Sequence, residues 1–315
     1  MGKIAFIFPG QGSQTVGMGK NLADENEKVA SFFKKADETL QTSLSSLIFE
    51  GPQEELTLTT NAQPALLTTC MAILEYFSDF HIHADYVAGH SLGEYSALVA
   101  SGSISFEEGV YAVRKRGELM EEAVPNGEGT MAAILGLDRE PLTEVTTKIT
   151  DEGHPVQLAN LNCPGQIVIS GSRKGVELAS EKAKEAGAKR ALPLDVSGPF
   201  HSSLMQPAAE KFEEVLNSIS IVDAKIPVIA NVMAEPITDA TMIKEKLVEQ
   251  LYSPVLWEDS IRKMLDLGVD TFIEIGPGKV LSGLVKKIDR SVKTYAVSDM
   301  ESCQATVEAL KEEAQ

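Results

Sequence analysis

The sequence predicts an α/β protein in which a large body with a mainly parallel sheet carries a small inserted α+β subdomain. Strand-like apolar runs alternate with helix-like segments at both ends of the chain, which is typical of a parallel sheet. A different order, β-α-β-β-α-β, occupies the middle and is the ferredoxin-like arrangement. We place the body at residues 1–126 and 197–315 and the subdomain at residues 127–196 of the 315-residue chain.

The N-terminal part alternates strands with helices. A buried strand is predicted from Lys3 to Phe8, and residues 21–60 are polar and helical. Pro64 is expected to begin an apolar helix that continues to about residue 80. A strand and a sharp turn follow at 85–93, and an amphipathic helix is predicted over 106–122.

The middle and the C-terminal part continue this reading. In the subdomain we predict strands and helices at 131–135, 140–151, 156–161, 166–170, 174–186 and 189–194. In the returning body we predict a helix to about 217, a strand at 226–230, helices at 241–252 and 257–267, a strand at 271–275 and a polar helix after about 299.

Charge and cysteine usage exclude several classes of protein. Lys plus Arg number 28 and Asp plus Glu number 46, so the net charge is −18, and a general nucleic-acid binder is not expected. The chain has no run of 18 apolar residues, so no membrane span is expected. The three cysteines (Cys70, Cys163 and Cys303) are widely spaced and are interpreted as reduced thiols of a cytoplasmic protein.

The segment Gly89-His90-Ser91-Leu92-Gly93 fits the pattern of a nucleophile elbow, G-x-S-x-G. An apolar run precedes it and a helix-like segment follows, and a strand that turns sharply into a helix exposes the middle Ser to an acyl carbon. Glycines are needed on both flanks because the tight turn leaves no room for Cβ atoms. The alternative is a structural turn. Ser91 is therefore a candidate nucleophile.

A glycine-rich loop follows the first strand, at Gly10-Gln11-Gly12. Thr15 occupies the third glycine position of a dinucleotide-binding loop, which argues against that function. We expect the loop to offer backbone N–H groups to a neighbouring site, although a plain tight turn fits the spacing equally well.

Arg116 is predicted to point inward. On the helix over 106–122 it falls within roughly 40° of the centre of the apolar face, whereas Arg114 and Lys115 lie more than about 100° away. A buried guanidinium needs an anionic partner. That partner is either a buried Asp or Glu in a structural ion pair, or a substrate carboxylate held by the guanidinium fork.

His201 is the candidate general base. It is expected at or just before a helix N-terminus, where the helix dipole would keep the imidazole neutral at pH 7. The alternative is a solvated or capping histidine. His90 lies inside the turn and is too constrained to serve Ser91 easily.

Five segments together carry a resemblance to a known family. They are Gly10-Gln11-Gly12-Ser13-Gln14, Gly89-His90-Ser91-Leu92-Gly93-Glu94-Tyr95-Ser96, Arg114-Lys115-Arg116-Gly117, Gly198-Pro199-Phe200-His201 and Glu274-Ile275-Gly276-Pro277-Gly278. In this order and spacing, over essentially the whole chain, they closely resemble the malonyl-CoA:acyl carrier protein transacylases of type II fatty acid synthesis. The resemblance implies an α/β-hydrolase-like body with a ferredoxin-like insert.

The resemblance also implies roles for individual residues. Ser91 would be the nucleophile and His201 its base, with Arg116 binding the malonyl carboxylate. The backbone N–H groups of Gln11 and Leu92 would form the oxyanion hole. The main-chain carbonyl of Gln250 would orient the His201 ring.

The implied reaction is ping-pong transfer of malonyl from malonyl-CoA to the phosphopantetheine thiol of acyl carrier protein. No metal and no cofactor beyond the CoA thioester are expected, and the protein is expected to be a monomer. Phe200 stands where some relatives have a small residue, and it would exclude α-branched acyl groups.

Three alternatives stay open. A discrete acyltransferase that serves a polyketide synthase would use the same chemistry. A thioesterase of the α/β-hydrolase type would need an acid, for which Asp138, Asp151 and Asp195 are available. A non-catalytic acyl- or CoA-binding module would not need the Ser91 hydroxyl.

Anionic CoA and an acidic carrier protein would require local positive charge on this acidic chain. We therefore expect a basic rim at the entrance of the site. Its candidates are Lys189, Arg190, Lys279, Lys286, Lys287 and Arg290.

Overall fold

The computed structural model describes residues 2–125 and 127–313, the last without its side chain. Its strands are β1 (Lys3–Phe8), β2 (Tyr86–Gly89), β3 (Gly129–Leu135), β4 (Val156–Cys163), β5 (Gln166–Ser172), β6 (Arg190–Pro193), β7 (Val228–Ile229), β8 (Pro236–Ile237), β9 (Val269–Ile275) and β10 (Lys293–Val297). Its α-helices are α1 (Lys20–Glu25), α2 (Glu27–Leu40), α3 (Leu44–Glu50), α4 (Gln53–Thr57), α5 (Thr59–Ser78), α6 (Gly93–Ala100), α7 (Phe106–Glu122), α8 (Arg139–Asp151), α9 (Arg173–Glu185), α10 (Gln206–Asn217), α11 (Ala240–Gln250), α12 (Trp257–Asp266), α13 (Val280–Ile288) and α14 (Met300–Glu313).

The larger sheet has the strand order β10-β9-β1-β2-β7-β8. Every neighbouring pair is parallel except β7 with β8, which is antiparallel. The prediction of an α/β protein with a mainly parallel large sheet is therefore confirmed. The central position of β1, next to β2, brings the loop after β1 beside the turn after β2.

Both faces of the larger sheet are covered, which explains why its central strands β1 and β2 are almost entirely apolar. Side chains alternate between the faces. Phe6 and Phe8 of β1 belong to one core cluster, which includes α5 and α7, whereas Ala5 and Ile7 belong to a second, which includes α12 and α13.

The smaller sheet is antiparallel and has the order β4-β5-β3-β6. Helices α8 and α9 pack against it around a third core cluster. Strand β4 also contacts the body, because its main chain pairs with that of Val255. The first predicted subdomain boundary lies between residues 126 and 127, and Asn126 is outside the described residues.

Most predicted elements are present, with four differences. Helix α5 begins at Thr59, five residues before Pro64. The missing proline N–H removes one hydrogen bond near the helix start, and the helix nevertheless extends upstream through buried residues. Helix α13 and the edge strand β10 follow the loop at 276–279 and were not predicted, nor was the two-residue strand β8.

Two further findings concern cysteines and membranes. Cys70, Cys163 and Cys303 are buried free thiols. In the described ranges, no helix combines the length and the apolar character needed to cross a membrane.

Candidate active site

Ser91 lies in a sharp turn between β2 and α6. Its φ is +51°, a left-handed conformation that non-glycine residues adopt only where the surroundings enforce it. The turn is tightly packed, because a Cβ on Gly89 would lie 1.9 Å from the main chain of Gly93. A Cβ on Gly93 would lie 2.1 Å from the carbonyl oxygen of Phe8 in β1. This packing presents the Ser91 hydroxyl at the end of the sheet.

His201 joins Ser91 to a backbone carbonyl. Its Nε2 lies 2.7 Å from Ser91 Oγ, and its Nδ1 lies 2.8 Å from the carbonyl oxygen of Gln250. A carbonyl oxygen only accepts hydrogen bonds, so Nδ1 carries the proton and Nε2 is free to accept one from the serine. The geometry lets the Ser91 hydroxyl donate its hydrogen bond to the His201 ring.

The His201 imidazole is neutral at pH 7 for a reason other than the one expected from the sequence. Helix α10 begins only at Gln206, after a 3₁₀ turn at Ser203–Met205, so His201 is not at an α-helix N-terminus. Instead, burial lowers the pKa of His201 to about 3, assisted by the positive charge of Arg116. The side chain is 3 % exposed.

Arg116 on α7 is 1 % exposed and lies against the hydroxyl of Ser91. Its Nη2 donates to Ser91 Oγ at 3.0 Å and to Gln250 Oε1 at 2.8 Å, and its Nη1 donates to Gln63 Oε1 at 2.9 Å. Within the described residues no carboxylate oxygen lies within 4.0 Å of the guanidinium, so the internal ion pair considered from the sequence is not formed there. The buried charge is therefore in direct hydrogen-bond contact with the Ser91 hydroxyl.

Two backbone N–H groups are available near the hydroxyl. In the described part of the chain neither Gln11 nor Leu92 has an acceptor for its N–H. The loop and the turn are in contact, because a Cβ on Gly10 would lie 2.4 Å from the carbonyl oxygen of His90. The side chain of Gln11 is held by Thr59 Oγ1 at 3.0 Å. Both N–H groups are therefore unpaired donors in the described part of the chain.

A buried polar cluster behind the turn was not predicted. Asn231 accepts from Ser91 N at 2.8 Å and donates to the Gly89 carbonyl at 2.7 Å, which fixes the main chain on both sides of the turn. Gln250 Nε2 donates to the Ser91 carbonyl at 3.0 Å and to Glu94 Oε2 at 2.7 Å. This leaves Gln250 Oε1 facing Arg116.

Glu94 is the one carboxylate of this cluster. It is 2 % exposed, and burial raises its pKa to about 7 against the opposing effects of Gln250, Asn231 and Arg116. The sequence could have indicated Glu94 as a residue of the site, because it directly follows the turn that contains Ser91. Nothing in the sequence marks Asn231 or Gln63, because each comes from a distant segment.

The site opens into a cavity of about 720 Å³. Besides Ser91, His201 and Arg116, its walls include apolar side chains from α7, from the residue before α5, from β3 of the smaller sheet and from the segment between β6 and His201. These are Leu58, Met120, Met131, Leu194, Val196 and Phe200. Phe200, which the sequence comparison predicts to exclude α-branched acyl groups, lies in this wall.

Other residues considered from the sequence have different surroundings. His90 is bonded through Nε2 to Asn162 Oδ1 at 2.8 Å, and Ser91 Oγ pairs with His201 instead. The acid candidates of a hydrolase triad do not reach His201 Nδ1, which is bonded to a carbonyl oxygen. In the described ranges no group of three or more His, Cys, Asp or Glu side chains could hold a metal ion.

The six rim candidates are not equivalent. Lys189, Arg190, Lys279, Lys287 and Arg290 are exposed, whereas Lys286 is half-buried and donates to the carbonyl oxygens of Arg290 and Val292. Lys287 donates to Gln166 Oε1 of the smaller sheet at 3.1 Å.

The model of the acyl transferase domain family matches residues 5–313 of this chain. The chain is 66 % identical over 313 residues to the malonyl CoA-acyl carrier protein transacylase of Bacillus subtilis (strain 168), covering 99 % of both chains.

Two solved structures are similar over nearly the whole length. The malonyl CoA-acyl carrier protein transacylase of Clostridium perfringens has a TM-score of 0.95 at 46 % identity, covering 99 % of this chain and 98 % of that one. A malonyl-transacylase solved in complex with its type II PKS acyl-carrier protein has a TM-score of 0.94 at 42 % identity, covering 98 % and 99 %. The chain therefore belongs to the acyl transferase family.

Proposed function

We propose that this protein transfers a malonyl group from malonyl-CoA to the phosphopantetheine thiol of an acyl carrier protein. The observation that carries the proposal is the buried guanidinium of Arg116, which lies 3.0 Å from the Ser91 hydroxyl and has no carboxylate partner within the described residues. An acyl group on Ser91 that ends in a carboxylate would supply that partner. The names of the relatives described above agree with this substrate.

The first half-reaction acylates Ser91. His201 Nε2 takes the hydroxyl proton while Oγ attacks the thioester carbonyl, and the tetrahedral oxyanion accepts hydrogen bonds from the N–H groups of Gln11 and Leu92. Collapse breaks the C–S bond, and His201 returns its proton to the CoA thiolate. The products are malonyl-Ser91 and CoA.

The second half-reaction discharges the enzyme through the same geometry. The carrier thiol gives its proton to His201 and attacks the ester carbonyl of malonyl-Ser91, and the same two N–H groups receive the oxyanion. Collapse breaks the C–O bond, and the proton returns to Ser91 Oγ. His201 performs every proton transfer, so the mechanism calls for no cofactor beyond the thioester.

Acyl selection follows from the same charge. An acetyl group would leave Arg116 buried without an anion, which is unfavourable compared with malonyl. Phe200 in the cavity wall would restrict groups branched at the α carbon.

We also propose that the chain is divided into a ferredoxin-like subdomain and an α/β-hydrolase-like body. The order β4-β5-β3-β6, with helices after β3 and β5, supports a ferredoxin-like subdomain at 127–196. The turn between β2 and α6 beside a mainly parallel sheet supports an α/β-hydrolase-like body at 1–126 and 197–315. The buried free thiols fit a cytoplasmic enzyme.

A carrier protein of polyketide synthesis is an alternative acceptor. A structural neighbour was solved with such a partner, and the chemistry would be identical. Hydrolysis is less favoured, because His201 is oriented by a carbonyl and not by an acid.

Intact-mass measurement after separate mixing with malonyl-, methylmalonyl- and acetyl-CoA tests the proposal. We expect a malonyl adduct that is absent from Ser91→Ala and that the carrier thiol discharges faster than water. In Arg116→Ala we expect the preference for malonyl over acetyl to fall by roughly 10–100-fold, the equivalent of one or two charged hydrogen bonds. An adduct on Ser91→Ala, or faster discharge by water, would overturn the assignment.

A further inference from the structure

Strand β4 of the smaller sheet contacts three parts of the active site. At its C-terminal end, Asn162 Oδ1 bonds His90 in the turn of the nucleophile. In its middle, its main chain pairs with Val255, a few residues after α11. Near its start, the side chain of Gln157 contacts the loop that carries His201. One strand therefore joins the two loops that must place nucleophile and base together.

The amide of Gln157 binds the main chain on both sides of the His201 side chain. Its Nε2 donates to the carbonyl oxygens of His201 and of Tyr252, each at 3.3 Å. Its Oε1 accepts from Ser203 N at 2.9 Å. A single side chain thus spans the loop of His201 and the segment that directly follows Gln250, the last residue of α11, whose carbonyl is bonded to His201 Nδ1.

His201 needs such restraint because its main chain is strained. Its φ is +56°, in the left-handed region that is unfavourable for a non-glycine residue. Two further bonds, from His201 N to the Leu251 carbonyl at 3.2 Å and from Nδ1 to the Gln250 carbonyl at 2.8 Å, both come from one segment. Gln157 adds a restraint from a different element.

We propose that Gln157 is a positioning residue for the general base, which makes the smaller sheet part of the dyad's support. Loss of its amide would release the His201 carbonyl and lengthen the 2.7 Å contact between Nε2 and Ser91 Oγ. Proton transfer would slow, because its rate depends steeply on that geometry. Binding of malonyl-CoA through Arg116 on α7 would be unaffected.

Single-turnover malonylation of the full chain tests this inference, which rests on the proposed function. Gln157→Met keeps the length and the packing of the side chain and removes both its donors and its acceptor. We expect its rate at saturating malonyl-CoA to fall about tenfold, with the half-saturating concentration within about twofold of wild type. Should this variant not fold, Gln157→Glu, which keeps the acceptor for Ser203 N and loses the donors, should show the same split.

Two controls separate positioning from a general structural effect. Thr150→Val removes the two hydrogen bonds between Thr150 Oγ1 and the main chain of Val156, one donated to the Val156 carbonyl and one accepted from its N–H, without touching the loop of His201. The rate of this variant should stay within twofold of wild type. In a His201→Ala background, Gln157→Met should leave the residual rate unchanged, because the residue through which Gln157 acts is already absent.

The outcomes are distinguishable. Wild-type rate in Gln157→Met, a rise confined to the half-saturating concentration, or an equal loss in the His201→Ala background would each overturn the role of Gln157. If wild-type protein itself is not malonylated on Ser91, the proposed function fails instead.

Discussion

His201 lies between the Ser91 hydroxyl and the Gln250 carbonyl and is almost fully buried. Burial disfavours the charged imidazolium, and the nearby cation of Arg116 disfavours it further, so the pKa of His201 falls to about 3. The pKa of Glu94, on the other side of Gln250, is raised instead, because the ionised form of this residue is a buried anion. Burial thus favours the neutral form of both groups.

The pH dependence of acylation follows from the low pKa of His201. The base is already unprotonated at pH 5, so the rate constant kcat/KM for malonylation should show no acid limb from His201 between pH 5 and 8. The pH–rate profile of malonylation checks this. Running it also in Glu94→Gln removes any contribution from the Glu94 carboxyl. A limb with a midpoint near 6.5 in that variant would contradict the burial argument.

Glu94 should make the protein less stable as pH rises. Its folded pKa of about 7 exceeds the reference value of 4.5, so the folded state holds the proton more tightly. Its stabilising contribution is therefore present below pH 4.5 and lost as pH rises through 7.

Glu94→Gln should remove this loss, because the amide oxygen can still accept from Gln250 and Asn231. Relative to wild type, its free energy of unfolding should rise by roughly 2–3 kcal/mol between pH 4.5 and 8, at about 1.4 kcal/mol per pKa unit. Urea unfolding at pH 5 and at pH 8 measures the difference. Glu210, on the exposed face of α10, provides the matched control. Glu210→Gln should change the free energy of unfolding by the same amount at both pH values. An equal change at both pH values in Glu94→Gln would refute the prediction.

At the scale of elements, the turn from β2 to α6 and the loop after β1 form one packed unit. Parallel pairing of β1 with β2 places Phe8 opposite Gly89, so the two loops leave the sheet side by side. Asn231, just after β7, then bonds the turn from its other side. The nucleophile is thus positioned by three adjacent parallel strands.

Gly89→Ala should disrupt this unit. The added methyl would lie 1.9 Å from the Gly93 main chain, an overlap that no side-chain movement relieves. We expect loss of soluble folded protein, or malonylation reduced by at least about 100-fold through displacement of Ser91. Gly283→Ala in α13 is the matched control, because its Cβ meets nothing within 4 Å, and it should stabilise by about 0.5–1 kcal/mol. Normal activity in Gly89→Ala would show that the turn is more plastic than its contacts indicate.

At the scale of the molecule, the net negative charge of the chain is unfavourable for binding anionic substrates. A chain with a net charge of −18 repels anionic substrates at long range, so local positive potential matters for capture. Lys189 and Arg190 are exposed at the start of β6, an edge strand of the smaller sheet.

Charge reversal tests the basic rim. In the double variant Lys189→Glu, Arg190→Glu, transfer to an acidic carrier protein should weaken at least about tenfold at low salt, with the difference shrinking as salt rises. Self-acylation by malonyl-CoA should change far less. Reversal of the exposed pair Lys34 and Lys35 on α2 is the matched control and should leave both steps near wild type. Equal losses in the two half-reactions would remove the rim from carrier recognition.

The sequence by itself determined the features that depend on neighbouring residues. The pattern around Ser91 specified a strand, a turn and a helix, and the 3.6-residue period placed Arg116 on the buried face of α7. Hydrophobic periodicity and turn residues also indicated the β-α-β-β-α-β order of the middle segment. These signals are short in range, since they arise from backbone geometry within one or two elements.

Only the tertiary structure decided what surrounds those residues. Gln63, Asn231 and Gln157 reach the site from separate elements, and the pKa values of His201 and Glu94 depend on burial that no local pattern encodes. The edge strand β10 was missed for the same reason, because its strand character depends on pairing with β9. Contacts between distant segments form only when the strands adopt their order in space, and that order is set by the packing of the whole chain.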